Sequence, residues 1–291
     1  SMVYEFPELQ GIMGRYYALH DGEDAAVAAA LDEQYQPRIA GDALPASATG
    51  QVQALAERID TLVGIFAIGQ PPTGDKDPFA LRRAALGVLR IIIEQQLELD
   101  LRELLTKAAS GFDDSIDAGA AIDSVFDFIM GRLRNWYTEQ GDYDVHMFEA
   151  VLARQPARPL DFDKRMQAVR AFNDMPEAEH LSAANKRIRN ILRKSETKIP
   201  SSLDTRLLQE SAEQALADAI TEQEKIVQPL FSQRHYADAL RSLASLQAPV
   251  DRFFDDVMVM ADDPALRDNR LALLQGLANL FLQVADISQL Q

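Results

Sequence analysis

Pro71-Pro72-Thr73-Gly74-Asp75-Lys76-Asp77-Pro78-Phe79-Ala80-Leu81-Arg82-Arg83-Ala84-Ala85-Leu86-Gly87-Val88-Leu89-Arg90 is the stretch around which the rest of the chain is organised. The paired prolines and the Thr73-Gly74 step end whatever helix precedes them. Asp77 offers an N-cap oxygen and Pro78 suits the first helical position, so a helix is predicted directly after Asp77. Leu81, Ala85, Val88 and Ile92 line one stripe of that helix, with Leu86, Leu89 and Ile93 beside them. A helix apolar over most of its circumference is buried on most sides. Arg83, Gly87, Arg90 and Glu94 form its polar stripe. Arg82 falls outside that stripe, between Leu89 and Ile93, and there needs a carboxylate or a phosphate as partner. Arg82, Arg83 and Arg90 are therefore candidates either for internal ion pairs or for phosphate contact.

Working outward, the composition agrees with a helical protein. The chain has 291 residues, 47% of them hydrophobic, enough for one large core or two modest ones. Leu, Ala, Glu, Gln and Arg are abundant and strand-like alternation is scarce, so the fold class is read as all-α. There is no cysteine, which excludes disulfides and thiolate chemistry and suits a cytoplasmic protein. No apolar run approaches the roughly 20 residues that span a bilayer, and no basic segment followed by an apolar stretch marks a signal peptide. No membrane association is expected. The net charge of −16, from 29 basic and 45 acidic residues, argues against a protein that coats DNA or other nucleic acid nonspecifically. A local basic patch on this acidic body would therefore be informative.

Along the chain, Tyr16, Tyr17 and Leu19 are expected to bury against the alanine-rich run Ala25 to Leu31. Gly41 to Pro45 reads as a loop and Gln51 to Phe66 as a helix with Leu55, Ile59, Leu62 and Phe66 on one face. The helix after Asp77 should break near Leu97 to Asp100, before another over Leu101 to Ala109. Ile122, Val125, Phe126, Ile129, Met130, Leu133 and Trp136 recur at helical spacing and are core candidates. Arg154 to Pro159 marks a connection, and Asp161 to Phe172 a further helix. Between Leu181 and Pro200 six basic residues face Glu196 alone. Lys186, Arg189 and Arg193 share a helix face there, with Arg187 and Lys194 beside them, either as a solvated surface or as a site for phosphates. Val250, Phe253, Phe254, Val257, Met258 and Ala261 are expected to form one helical core stripe. Asp263 and Pro264 should start the last long helix, with Arg267 and Arg270 near its beginning.

Several ordered segments resemble the β subunits of bacterial heterotetrameric glycyl-tRNA synthetases: Glu5 to Gly11, Ile59 to Phe66, the Pro71 to Arg90 stretch, and the C-terminal Val284 to Gln291. Asp238-Ala239-Leu240-Arg241 is the signature of the DALR-type anticodon-binding domain, and the likeness continues through Pro249 to Met260 and Arg267 to Leu274. The resemblance implies the C-terminal portion of a longer subunit, beginning inside a domain. It implies an HD-like helical domain over residues 1–153 and a connecting helix with a DALR-type helical bundle over 154–291, whose core spans about 181–291. It further implies a role in glycine–tRNA ligase, a class II synthetase with two α and two β subunits, binding tRNA(Gly) and the α subunit. ATP and Mg would be used by the whole enzyme, with no cofactor and no catalytic centre in this portion.

The doublet His20-Asp21 and Asp60 match the positions that give HD domains their name. The only other histidines are His146, His180 and His235, too few nearby to complete a metal cage, so a vestigial site without metal is expected. A metal-dependent HD-type phosphohydrolase is the alternative. In the bundle, Lys186, Arg187, Arg189, Arg193 and Lys194 are candidates for tRNA phosphates. Arg267, Asn269 and Arg270, with Asp262 or Asp263, are candidates for anticodon reading. The competing account makes Arg270 an internal partner of Asp255 or Asp256.

Overall fold

Residues 2–39, 41–113, 115–139, 141–195 and 198–290 are described by the structure, a computed structural model. They fold into α-helices joined by short turns, and no strand forms among the described residues beyond an isolated Thr73–Lys76 bridge. The helices are α1 (Met2–Glu5), α2 (Ile12–His20), α3 (Ala25–Glu33), α4 (Ala48–Ala67), α5 (Leu81–Glu94), α6 (Leu101–Ala109) and α7 (Ile122–Glu139). They continue as α8 (Val145–Leu152), α9 (Pro159–Asn173), α10 (Ala178–Lys194), α11 (Ser211–Ser232), α12 (Tyr236–Leu243), α13 (Gln247–Asp256) and α14 (Pro264–Leu282). The chain forms two compact units, Ser1–Gln140 with Ala157–Leu160, and Gly141–Pro156 with Asp161–Gln291. Helix α8 lies in the second unit although the sequence reading ends the first domain at 153. Its Ala150 carbonyl accepts from the Asp286 N–H (2.8 Å), which ties it to the C-terminal turn.

In the first unit α5 packs on α4 and α7 and is the most completely buried helix, with Leu81, Ala85, Val88, Leu89, Ile91 and Ile92 all inaccessible. Its start differs from the sequence expectation. Asp77 to Ala80 form a turn, Ala80 is left-handed (φ 54°), and the helix begins at Leu81. The Asp77 carboxylate still caps it from a distance, accepting from Leu81 N (2.8 Å) and Arg82 N (2.9 Å). Arg82 is only half-buried and donates to the Gly74 carbonyl, so a turn carbonyl takes the place of the internal carboxylate it was expected to need. Arg90 pairs with Glu94 (2.7 Å) and reaches the Asp42 carbonyl, while Arg83 is exposed.

Gly87 is not part of a polar stripe. It is buried because Arg58 of α4 lies across it. Arg58 is 7% exposed and uses both terminal nitrogens on main-chain carbonyls: Gln34, Ala54 and Gln36, each at 2.9 Å, and Pro37 at 3.4 Å. Burial pulls its pKa below the ordinary value, opposed by Glu57. A Cβ at Gly87 would meet Arg58 Nε at 2.8 Å. Because four carbonyls hold that guanidinium, it has little room to retreat. Gly87→Ala should cost about 1–3 kcal/mol, as overpacking does. Gly131→Ala in α7, where the added carbon meets nothing within 4 Å, should be neutral or stabilising by about 0.5–1 kcal/mol. Urea melts of the two variants check this, and equal stabilities would refute the Arg58 contact.

Three other core expectations are corrected. Tyr16, Tyr17 and Leu19 are exposed, because α2 packs on α3 through small residues such as Ala18 and Ala28 and needs no large side chain there. In α7 the fully buried aromatic is Tyr137, and Trp136 stays half-buried. The second unit has its core at Leu216, Leu240, Val250, Phe253, Leu274 and Phe281. Helix α13 stops at Asp256 instead of continuing to Ala261. Beyond it Val257 is extended, and Val257 and Val259 are buried while Met258 and Met260 are 75% and 54% exposed.

Candidate nucleic-acid interface

Helix α10 buries Leu181, Ser182, Asn185 and Ile188, and that spacing turns the basic residues outward. Lys186, Arg187, Arg189, Arg193 and Lys194 are all exposed, a concentration of cations on an acidic chain. They are not equivalent. The Arg187 guanidinium stacks over the Phe254 ring at 4.2 Å from its centroid, which fixes its direction. Arg189 is committed to the protein, pairing with Asp286 and reaching Ser288 Oγ (3.2 Å). Among the described residues Arg193 makes one neutral contact, with Asn190 Oδ1 (3.2 Å), and Lys194 ends the helix at an exposed position. Positive charge in that last turn also favours the helix dipole.

At the start of α14 the sequence expectation fails in an instructive way. Asp263 caps the helix through Ala265 N (2.8 Å) and Pro264 takes the first position, as expected. Asn269 and Arg270, expected to read an anticodon, are buried. The Asn269 amide brackets the backbone of Asp204, accepting from its N–H (2.8 Å) and donating to its carbonyl (3.0 Å). Arg270 does form an internal ion pair, but with Glu213 (2.5 Å) and not with Asp255 or Asp256, and it also donates to the Met258 carbonyl (2.8 Å). Arg267 keeps partial exposure, 3.7 Å from Asp268. Helical periodicity explains the burial: Arg270 shares its face with Leu273, Leu274 and Leu277, which are core. Sequence reasoning does not find Glu213. It is the third residue of a capping box at the start of α11, accepting from Gln209 N (2.8 Å) and Glu210 N (2.7 Å). The Glu210-x-x-Glu213 spacing is the signal that could have found it.

The signature residues are architectural. Ala239 and Leu240 are inaccessible, and Asp238 pairs with Arg241 on the surface (2.6 Å). Tyr236, two residues earlier, donates to Asp161 (2.7 Å), which also holds Arg165 (2.7 Å). Arg165 then donates to the carbonyls of Gln283 and Val284 (both 2.7 Å), so one network joins α9, α12 and the end of α14. Burial and the Asp161 hydrogen bond push the Tyr236 phenol up to about 12. In the first unit His20, Asp21 and Asp60 are each exposed. Among the described residues no three histidine or acidic side chains converge as metal ligands would, so the residues present do not fit an HD-type metal centre.

Comparison with known proteins bears on the whole chain. Residues 1–153 match the family described as glycyl-tRNA synthetase beta subunit, and residues 181–287 match the DALR anticodon binding domain. The chain belongs to the glycyl-tRNA synthetase β-subunit family. Over all 291 residues it is 57% identical to the glycine–tRNA ligase beta subunit of Marinobacter nauticus, 54% to that of Aliivibrio fischeri and 53% to that of Pasteurella multocida. The chain spans 42% of the length of each of these relatives. The all-α reading and the DALR-type bundle are thereby both established. No helix among the described residues is long and apolar enough to cross a membrane.

Proposed function

We propose that this chain is the tRNA-binding portion of a glycine–tRNA ligase β subunit, which holds tRNA(Gly) so that its acceptor end reaches the α subunit. In that assembly the chemistry of glycine activation, with ATP and Mg, belongs outside this portion, and the work is done in the cytoplasm. The observation that carries the reading is the outward face of α10, five cations on a chain of net charge −16, inside the segment that matches an anticodon-binding domain. Concentrating cations on one face costs self-repulsion, and neutralising a row of phosphates is the gain that offsets it. Lys186, Arg193 and Lys194 are the phosphate contacts in this reading, with Arg187 held ready by Phe254. Arg189 serves mainly to anchor the C-terminal turn.

Hydroxyl-radical footprinting of tRNA(Gly) on the chain tests it. The expected result is protection of the anticodon arm at chain concentrations that leave an unrelated acidic helical protein without effect. A uniform cleavage pattern at saturating chain would overturn the reading.

A further inference from the structure

Helices α10 and α14 and the C-terminal turn line a half-open cavity of about 530 Å³ in the second unit, within the size range of small-ligand sites. Three carboxamides face it: Asn185 from α10, and Gln275 and Asn279 from α14. Asn185 is only 6% exposed, and its Nδ2 is spent on the Leu181 carbonyl (3.0 Å). Gln275 and Asn279 lie one helical turn apart and make no side-chain hydrogen bond among the described residues. The same two amides, with Ile199, also line a second concavity of about 600 Å³ that Ser201, Ser202 and Gly276 border. A Cβ on Gly276 would meet nothing within 4 Å, so the second concavity is open at that point. The most deeply buried lining residues are apolar: Phe281, Ala285 and Ile287.

The electrostatics of this place differ from the outward face of α10. Arg189 at the rim is neutralised by Asp286, and Arg193 is the remaining cation among the lining residues. A phosphate would want several charged donors, whereas the cavity offers uncharged groups. Gln275 and Asn279 each carry both a donor and an acceptor in one plane. That is the complement of the Watson–Crick edge of a base, and the apolar lining suits the base's face. Arg193 at the rim is placed for the adjoining phosphate.

We propose that this cavity receives one unpaired base of the bound RNA, read by Asn185, Gln275 and Asn279. The inference rests on the tRNA-binding reading above and moves base recognition from the start of α14 to its second half.

Fluorescence anisotropy with labelled hairpins tests it, using the tRNA(Gly) anticodon arm and the same hairpin with single loop-base substitutions. For the wild-type chain, one loop position should set the affinity. In Gln275→Ala/Asn279→Ala the preference at that position should fall by about tenfold or more, with the salt dependence unchanged, because both side chains are uncharged. Asn279→Ala alone, at an exposed position, should show the same change at smaller size and with an unaltered melting temperature. Arg193→Glu should instead weaken all hairpins alike and flatten the salt dependence. Retained base preference in the double variant would overturn the inference while leaving tRNA binding standing. So would wild-type binding that ignores loop sequence, as expected of a cavity that takes a protein side chain. If the wild-type chain binds no hairpin and no tRNA, the tRNA reading itself falls and this one with it.

Discussion

Arg270→Ala is expected to destabilise the second unit by about 3–5 kcal/mol, a large share of the stability of a unit this size. Its side chain is 7% exposed and that of Glu213 is 1% exposed, so removing the guanidinium strands a carboxylate in the interior. More than one ion pair is at stake. Glu213 also ties down the N–H groups of Gln209 and Glu210, and Arg270 also holds the Met258 carbonyl. The loop that presents Met258 and Met260 should therefore loosen along with the start of α11. Amide exchange in 256–261 should rise even where the unit stays folded. Arg270→Met combined with Glu213→Leu should recover much of the stability, since the desolvation cost of both charges disappears together. Arg270→Ala melting within about 1 kcal/mol of wild type would show that the pair is not buried as described.

The same pair gives the acid limb a sign. Burial on its own would raise the pKa of Glu213, but the hydrogen bonds from Arg270 and from the N–H groups of Glu210 and Gln209 outweigh it and hold the carboxyl below its ordinary value. A depressed folded-state pKa contributes stability that is present above the unfolded value, about 4.3 for glutamate, and is lost as pH falls through the lower folded value. The wild-type chain should thus lose stability below about pH 4 more steeply than the Arg270→Met/Glu213→Leu double variant. Urea melts of both proteins at a series of acid pH values measure the difference.

Fold class and most helix bounds were legible because they depend on local pattern. The Asp263-Pro264 cap, the break between α5 and α6, and the outward cations of α10 all follow from spacing within one or two turns. What escaped depends on partners far away in sequence. Arg270 could be seen to align with Leu273, Leu274 and Leu277, but Glu213 lies 57 positions earlier. Arg58 was invisible for the same reason: its partners are carbonyls, which carry no residue-type signal. The later start of α5 comes from a left-handed Ala80, a conformation that an alanine in the sequence does not announce. The carboxamide cavity was hidden because Asn185, Gln275 and Asn279 become neighbours only when α10 and α14 meet.

The second large effect concerns the end of α10. Arg193→Glu/Lys194→Glu is expected to weaken binding of tRNA(Gly) and of unrelated tRNAs together, on the order of tenfold to a hundredfold at low salt. The logarithmic salt dependence should become shallower by about 0.7–0.9 for each phosphate no longer neutralised, since each such phosphate keeps its share of condensed counterions. Stability should scarcely change. Among the described residues Arg193 has only a neutral 3.2 Å contact with Asn190, and surface charges of this kind contribute little. Arg189→Ala is the informative counterpart, because its guanidinium is already held by Asp286 and Ser288. It should lower the melting temperature by freeing the C-terminal turn, yet move the salt slope less than the Arg193/Lys194 double variant does. Filter binding across a salt series, with melting curves on the same samples, separates the two. If reversing Arg193 and Lys194 leaves both affinity and slope unchanged in a folded protein, the face of α10 is only solvated charge. If Arg189→Ala flattens the slope as much as the double variant, the Asp286 pair opens on binding and that arginine joins the phosphate contacts.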